Sequence, residues 1–216
     1  MKRWILASNS PRRRELLNLF DHPFEVIPAD VDEDQHPGES PLDYVRRLSL
    51  EKAAAIAAEE SGLILAADTI VVCDGQVLGK PMHEDHARQI LEQLRGRTHQ
   101  VNTSITLIDT ETGRREEAIC CTDVTMRCYS DAEIVTYIAT GDPMDKAGAY
   151  GIQNPEFHPA EKLSGCFASV MGMPLCHLYI VIRRMGFHAD LEIDDRCQQH
   201  LDYECPVAKQ ILNQAL

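Results

Sequence analysis

The chain has 216 residues, enough for one substantial hydrophobic core, and no Pro-, Gly- or Ser-rich linker divides it. Its formal net charge of −13 excludes a broad basic surface, and with it general binding to nucleic acid or to an anionic membrane. The first residues hold too short an apolar run for a secretory leader, and no later run approaches membrane-spanning length. We therefore expect a cytoplasmic protein of one domain, in which any anion site is local.

The first helix begins in an unusual way. Ser10 is a good N-cap and Pro11 suits the first helical position, so Arg12, Arg13 and Arg14 fall in the first turn. The helix macrodipole favours anions at this end, and arginines there indicate a bound anion. Phosphate is the obvious candidate, because the guanidinium fork matches two phosphate oxygens.

Strands and helices alternate along the rest of the chain. They predict a mixed α/β architecture with both parallel and antiparallel strand pairs. Strands are expected at 4–7, 24–27, 63–73, 77–78, 98–109, 117–128 and 167–171, and helices at 11–20, 41–60, 84–94, 131–138 and 174–185. The tail from about residue 190 is acidic and then weakly helical from Pro206.

Asp68 is the most informative single residue, because it interrupts a nearly continuous apolar strand. A buried carboxylate costs several kcal/mol unless it is paired, hydrogen-bonded or bound to a metal. Thr69 beside it can donate a hydroxyl. The residue types alone leave two interpretations equally open, a functional carboxylate or a structural one that binds backbone amides or an arginine.

Two lysines extend the set of candidate cations. Lys52 follows Glu51 in a predicted helix, and Lys80 lies between Gly79 and Pro81 in a turn that a ligand can approach closely. A lysine by itself is more typical of a solvated surface, but the turn that fixes the backbone around Lys80 favours a ligand-binding role for this one. Together with the arginines, these residues could surround a polyphosphate.

Several acidic and histidine positions keep two interpretations. The loop 30–34, which contains Glu33, could help to hold Mg²⁺, although a solvated acidic loop is the commoner meaning of such a run. Asp142 and Asp145 face the same choice. His99 could line a site or lie at the edge of the core.

The cysteine pattern favours reduced, buried thiols over a disulfide framework, because no C-x-x-C spacing occurs. Cys197, His200 and Cys205 in the tail could ligate zinc by residue type, but their loose spacing is weak evidence. The signatures of P-loop, dinucleotide-binding, serine-hydrolase and zinc-protease sites are also missing from the sequence. Most of the cysteines stand in apolar strand or helix patterns, namely Cys73, Cys120, Cys121, Cys128, Cys166 and Cys176.

Six sequence blocks follow one another along the chain: Ser8-Asn9-Ser10-Pro11-Arg12-Arg13, Glu51-Lys52-Ala53, Ala67-Asp68-Thr69-Ile70-Val71, Leu78-Gly79-Lys80-Pro81, Gly96-Arg97-Thr98-His99-Gln100-Val101 with Thr103, and Lys146 to Gln153. In this order they resemble the Maf family of nucleoside triphosphate pyrophosphatases. The resemblance covers roughly residues 3–187, and the blocks together are highly specific although each alone is weak.

The resemblance implies an elongated, twisted mixed sheet flanked by helices, with two lobes and a central cleft, similar to inosine triphosphate pyrophosphatases. It also implies a homodimer, a divalent metal such as Mg²⁺ or Mn²⁺, and hydrolysis of a nucleoside triphosphate to the monophosphate and pyrophosphate. The roles that it implies are phosphate binding by Arg12, Arg13, Lys52 and Lys80, catalysis by Asp68, metal binding by Asp68 and Glu33, base reading by Gln153, and lining of the site by Ser8 and Thr69.

Within the family, the second arginine after Pro11 and the Gly-Ile-Gln ending at Gln153 resemble the dTTP/UTP branch, whose members could sanitise the nucleotide pool. The segment 154–166 departs from the family pattern, beginning with Asn154 where glycine is usual. A pyrophosphatase for modified nucleotides such as 7-methyl-GTP and a nucleotide-binding regulator of cell division remain the alternatives. The tail has no counterpart in the family, so we predict a domain over 1–190 and an extension over 191–216. Arg14 lies outside the matched pair and is expected to be a surface charge.

Overall fold

The computed structural model describes residues 2–187 and 191–213, so the predicted boundary at residue 190 lies outside the described residues. The strands are β1 (Trp4–Leu6), β2 (Phe24–Val26), β3 (Leu63–Cys73), β4 (Gln76–Leu78), β5 (Thr98–Asp109), β6 (Arg115–Met126) and β7 (Ala160–Ser164). The helices are α1 (Pro11–Leu17), α2 (Pro41–Ala57), α3 (Glu84–Leu94), α4 (Asp131–Ala139), α5 (Phe167–Val170), α6 (Leu175–Arg184), α7 (Ile193–Leu201) and α8 (Ala208–Asn213). In these two ranges, no helix has the length and apolar character needed to cross a membrane.

The strands form one mixed sheet in the order β2-β1-β3-β5-β6-β7, with β4 paired to β3. β1 runs parallel to β2 and β3, and the remaining pairs are antiparallel. Helices flank this sheet, so the predicted mixed α/β architecture is confirmed.

The sheet carries separate hydrophobic cores at its two ends, which give the molecule two lobes. At one end, β1 and the start of β3 lie between α2 on one face of the sheet and α1 and α6 on the other face. At the other end, the last residues of β3 and β6 and the first residues of β5 pack against α3 and α4. Alternation along β3 decides the faces, since successive side chains point to opposite sides of the sheet.

β3 has an opening along one edge. Its pairing with β1 covers residues 63–65 and its pairing with β4 covers residues 71–73. β5 pairs with β3 along the opposite edge, so β1 and β4 both pair along the edge that contains the opening. Within the described residues no strand pairs with residues 66–70 here, and Asp68 and Thr69 lie in this opening.

Local capping sets where the helices begin. The Ser10 hydroxyl accepts a hydrogen bond from the Arg13 amide, with Pro11 at the first helical position of α1. α2 repeats the arrangement with Ser40 and Pro41. These caps confirm the predicted starts, because they satisfy amides that a helix leaves without intrahelical partners.

The prediction was wrong for the segment 167–171. It forms the short helix α5 rather than a strand, and an apolar run of this length does not distinguish the two. The last strand is instead β7, which pairs with β6. β7 was missed because it is short and only Ala160 and Leu163 among its residues are apolar.

The tail and the cysteines also differ from expectation. α7 was not predicted, and it packs on the core through Ile193 and Cys197. Across residues 2–187 and 191–213 no group of three or more ligating side chains could hold a metal, so the tail forms no such zinc site. All eight cysteines are free, as predicted, but Cys121 and Cys128 are exposed rather than buried.

Candidate active site

A cleft of about 580 Å³ lies at the opening in β3. Its lining comes from the loop after β1, the start of α1, α2, the turn after β4 and the segment 145–153. All the residues that sequence analysis assigned to a site line this one cleft: Ser8, Arg12, Arg13, Glu33, Lys52, Asp68, Thr69, Lys80 and Gln153.

Asp68 is buried and is held by Lys52 of α2. The Lys52 ammonium lies 2.6 Å from Asp68 Oδ1 and 2.6 Å from Glu33 Oε1, so it joins the strand to the acidic loop. Burial opposes ionisation of Glu33, but the hydrogen bond and charge of Lys52 outweigh it and lower the pKa of this carboxyl. The two carboxyl groups therefore converge on one ammonium in the cleft.

Arg13 is held by neutral groups. Its Nε donates to the Gly172 carbonyl at 3.0 Å, Nη1 donates to Ser8 Oγ at 3.2 Å, and Nη2 donates to Thr69 Oγ1 at 3.2 Å. Among the described residues it forms no ion pair. Burial lowers its pKa, although a guanidinium remains charged in proteins. Arg13 thus presents a full positive charge in a fixed orientation.

Two residues that support Arg13 were not singled out as site residues. Thr103 of β5 lies opposite Thr69, their hydroxyls are 2.9 Å apart, and Thr103 donates to the Ser169 carbonyl at 2.8 Å. Gly172 has a φ of +103°, and a Cβ there would lie 3.2 Å from Arg13 Nε. Both contacts join segments far apart in the chain, so no local pattern indicates them.

The remaining cations are less constrained. Arg12 Nη1 lies 3.4 Å from Asp145 Oδ2, a long contact that a ligand can replace. Lys80 is exposed, and no ion pair to it is found in the described part of the chain. Arg14 is exposed as expected and lies outside the cleft lining.

Asp142 and Asp145 neutralise a buried lysine that sequence analysis did not assign. Lys146 Nζ donates to the Asp142 carbonyl at 2.6 Å, to Asp142 Oδ1 at 2.9 Å and to Asp145 Oδ1 at 2.6 Å. Burial opposes ionisation of both aspartates, but hydrogen bonds, including those from Lys146 and from Tyr137 to Asp142, outweigh it and lower both pKa values. The spacing D-x-x-D-K was the available signal for this cluster.

Gln153 lies in a turn that is anchored at both ends. The Asn154 amide donates to the Gly151 carbonyl at 3.0 Å. Gly151 N donates to the Tyr137 hydroxyl at 2.9 Å, and the Asn154 side chain donates to Asp142 Oδ2 at 3.2 Å. Gln153 is exposed and lines the cleft, so its amide is available to a ligand.

His99 lies in the core rather than on the cleft. Its Nε2 is 2.7 Å from the Tyr150 hydroxyl, and its Nδ1 has no partner among the described residues. Burial lowers the pKa of His99 to about 4. The core-edge alternative is therefore the one observed.

The cleft suits a divalent cation with few protein ligands. Glu33 and Asp68 converge there, and the described residues supply no third His, Cys, Asp or Glu to the group. Mg²⁺ prefers one or two carboxylates, with water and phosphate oxygens completing its shell. The residues present thus fit a cation that a phosphate ligand helps to bind.

Comparison with known proteins gives a family. The model of the family described as "Maf-like protein" matches residues 3–185. A dTTP/UTP pyrophosphatase of Yersinia pestis bv. Antiqua is 52% identical over 172 residues, which is 79% of this chain and 86% of that protein. One from Syntrophomonas wolfei is 45% identical over 182 residues, 84% of this chain and 96% of that protein.

Solved structures offer more distant likenesses. A HAM1 protein from Coxiella burnetii is 15% identical with a TM-score of 0.46, and the match covers 99% of this chain and 96% of that one. The Ham1 protein of Staphylococcus aureus is 15% identical with a TM-score of 0.43, covering 59% of this chain and 73% of that one. The match of the family model and the identity to the two pyrophosphatases agree, and the chain belongs to the family of Maf-like proteins.

Proposed function

We propose that this protein hydrolyses nucleoside triphosphates to the monophosphate and pyrophosphate, with dTTP and UTP preferred. One observation carries the proposal: Arg12, Arg13, Lys52 and Lys80 share a cleft with the buried carboxylate of Asp68. Cations that converge in a polar cleft match the charge of a phosphate chain. Two relatives of 52% and 45% identity bear the name dTTP/UTP pyrophosphatase, which supports the same reaction and substrates.

The cations bind and neutralise the phosphates. Arg13 has only neutral hydrogen-bond partners, so its charge is available to a phosphate. Lys80 and Arg12 can turn toward a ligand, since one has no described ion pair and the other only a long one. Phosphoryl transfer depends on such positioning and charge stabilisation, above all on the leaving pyrophosphate.

Asp68 directs the attacking water. Lys52 holds Asp68 Oδ1, and Oδ2 has no partner among the described residues. A water bound to that oxygen can attack the α-phosphorus in line. The water oxygen then bonds to the α-phosphorus, and the bond from that phosphorus to the oxygen bridging to the β-phosphate breaks, with its electron pair leaving on pyrophosphate. The Asp68 carboxylate orients the water and accepts its proton.

A divalent cation, Mg²⁺ or Mn²⁺, would be held by Glu33 and Asp68. When bound, it supplies positive charge to the phosphate oxygens and fixes their orientation. Lys52 touches both carboxylates, so it keeps them together when no cation lies between them.

Gln153 is the proposed base reader. Its amide can donate and accept hydrogen bonds at once, as the edge of thymine or uracil requires. The anchored turn from Gly151 to Asn154 holds this side chain at the cleft. As properties carried over from the family resemblance, we also propose a cytoplasmic homodimer that sanitises the nucleotide pool.

A substrate panel tests the function. The protein is incubated with Mg²⁺ or Mn²⁺ and with canonical and modified triphosphates, and the products are identified by chromatography. We expect the monophosphate and pyrophosphate, fastest from dTTP and UTP. Preference for 7-methyl-GTP would overturn the role of Gln153. No pyrophosphate from any substrate would favour a nucleotide-binding regulator.

A further inference from the structure

The C-terminal extension, residues 191–213 as described, packs against the elements that hold Arg13. It lies beyond the range 3–185 that matches the family model. Ile193 and Cys197 of α7 are buried in the same core as Leu16 and Leu17 of α1. The extension is therefore part of the packing around α1.

Polar contacts join the extension to α1 and the turn after it. His200 Nε2 lies 2.8 Å from Glu15 Oε1, and Glu15 stands two residues after Arg13. Arg196 Nη1 donates to the Leu19 carbonyl at 3.1 Å and pairs with the Asp21 carboxylate. A helix as short as α1 is marginal by itself, so its position depends on such tertiary contacts.

A separate contact reaches the other support of Arg13. The Tyr203 ring packs on Phe167 with centroids 5.1 Å apart. Phe167 opens α5, and the segment continues to Gly172, whose carbonyl accepts from Arg13 Nε at 3.0 Å. The extension thus contacts α1, which carries Arg13, and also the segment that leads to its acceptor.

We propose that the extension is a brace that positions Arg13 for phosphate binding. Arg13 is set by α1 on one side and by Gly172 on the other, and the brace fixes the distance between them. The proposal rests on the proposed function only for the role of the bound phosphate in hydrolysis. Arg196, His200 and Tyr203 are positioning residues in this scheme, since they act through α1 and α5.

The brace should affect ligand affinity more than global stability. Exposed polar contacts such as His200–Glu15 and the Arg196–Asp21 ion pair stabilise a fold little. A small misplacement of a group that binds the reacting ligand is more costly, because binding and catalysis depend on its position.

The test uses the full-length chain with Arg196→Gln, His200→Gln and Tyr203→Ala combined. Calorimetry measures the Kd for inorganic pyrophosphate, and steady-state assays measure KM and kcat for dTTP. We expect the pyrophosphate Kd and the KM to rise about ten-fold. The factor by which kcat changes should be smaller, and the Tm should change little. Restoring the ring alone, with Tyr203→Phe in place of Tyr203→Ala, should recover part of the affinity.

Asp195→Asn and Gln199→Ala are the controls, because both side chains are exposed on α7. They should leave all four quantities unchanged. A fall in Tm with unchanged pyrophosphate Kd and KM would show that the extension only stabilises the fold and would overturn the brace. The pyrophosphate Kd reports on the brace even in a protein that fails to hydrolyse dTTP, and that failure would overturn the proposed function alone.

Discussion

Two clusters of side chains, one lining the cleft and one reaching it only through Asp145 and Lys146, use their charges in opposite ways. The first, the binding cluster, comprises Arg12, Arg13, Glu33, Lys52, Asp68 and Lys80, and the second, the balanced cluster, comprises Tyr137, Asp142, Asp145 and Lys146. In the binding cluster Arg13 has only neutral partners among the described residues. In the balanced cluster Lys146 is bonded to three oxygen atoms of two aspartates.

This difference separates charges that act on a ligand from charges that stabilise the fold. A buried cation surrounded by carboxylates has little charge left for an external anion, whereas one held by hydroxyls and a carbonyl retains it. Lys52 lies between the two cases, because its two carboxylate partners are themselves at the proposed reaction centre.

The largest effect is expected at Asp68. Asp68→Asn keeps the size of the side chain but removes the negative charge that orients the water. We expect kcat for dTTP to fall by about 10² to 10⁴, with the KM little changed. Asp123→Asn, an exposed position on β6, is the control. Near-normal pyrophosphate release by Asp68→Asn would remove this residue from the mechanism.

The second largest effect is expected at Arg13, and its neighbour Arg14 on α1 provides the comparison. Arg13→Gln removes a charge-assisted contact to phosphate, so kcat/KM for dTTP should fall about 10- to 100-fold. Arg14→Gln should leave it unchanged, since Arg14 is exposed and outside the cleft. Equal losses in the two variants would mean that general charge, and not the held guanidinium, binds the substrate.

Substitution in the balanced cluster should instead affect stability. Lys146→Met removes the cation that Asp142 and Asp145 share, so we expect the free energy of unfolding to fall by about 2 kcal/mol. This is below the cost for a fully buried pair, because Asp145 is largely exposed. Denaturant unfolding measures it, with Lys162→Met on β7 as the control. A loss of kcat/KM larger than that of Arg13→Gln would break the division into two clusters.

The smallest effect concerns His99, which supports the cleft-lining Tyr150. Its folded-state pKa of about 4 lies below its unfolded value of about 6.5, so the unfolded chain binds a proton that the folded protein excludes. The stability associated with a neutral, buried His99 is therefore fully present above about pH 6.5 and is lost as the pH falls toward about 4.

Between about pH 7.5 and pH 5.5, we expect wild type to lose about 1 kcal/mol more of its unfolding free energy than His99→Gln does. Urea unfolding at the two pH values measures the difference. His36→Gln, at an exposed position, should keep the wild-type slope. Parallel pH dependence in wild type and His99→Gln would show that His99 does not account for the acid sensitivity.

The sequence predicted elements whose signals are local. β3 and α3 have the predicted ends, because a long apolar run closed by Asp74-Gly75 and a strongly amphipathic segment are unambiguous. The predicted site residues also share one cleft. Their catalytic and binding roles remain predictions.

Contacts between distant segments were beyond the reach of the sequence. Gly172 supports Arg13 across 159 positions of the chain, and Thr103 reaches Ser169 across 66. α5 was taken for a strand because its few apolar residues fit either structure. The neutralisation of Lys146 depends on a compact turn that brings two aspartates to one ammonium.

The opening in β3 also bears on self-association. An unpaired strand edge can template pairing with another chain, which is a common route to aggregation. Here the uncovered stretch is confined to residues 66–70 and is closed by β1 at one end and β4 at the other. A foreign strand would have to enter between these two strands and meet the Asp68 carboxylate. The same interruption that admits a small anionic ligand therefore protects this edge of β3 from pairing with another polypeptide.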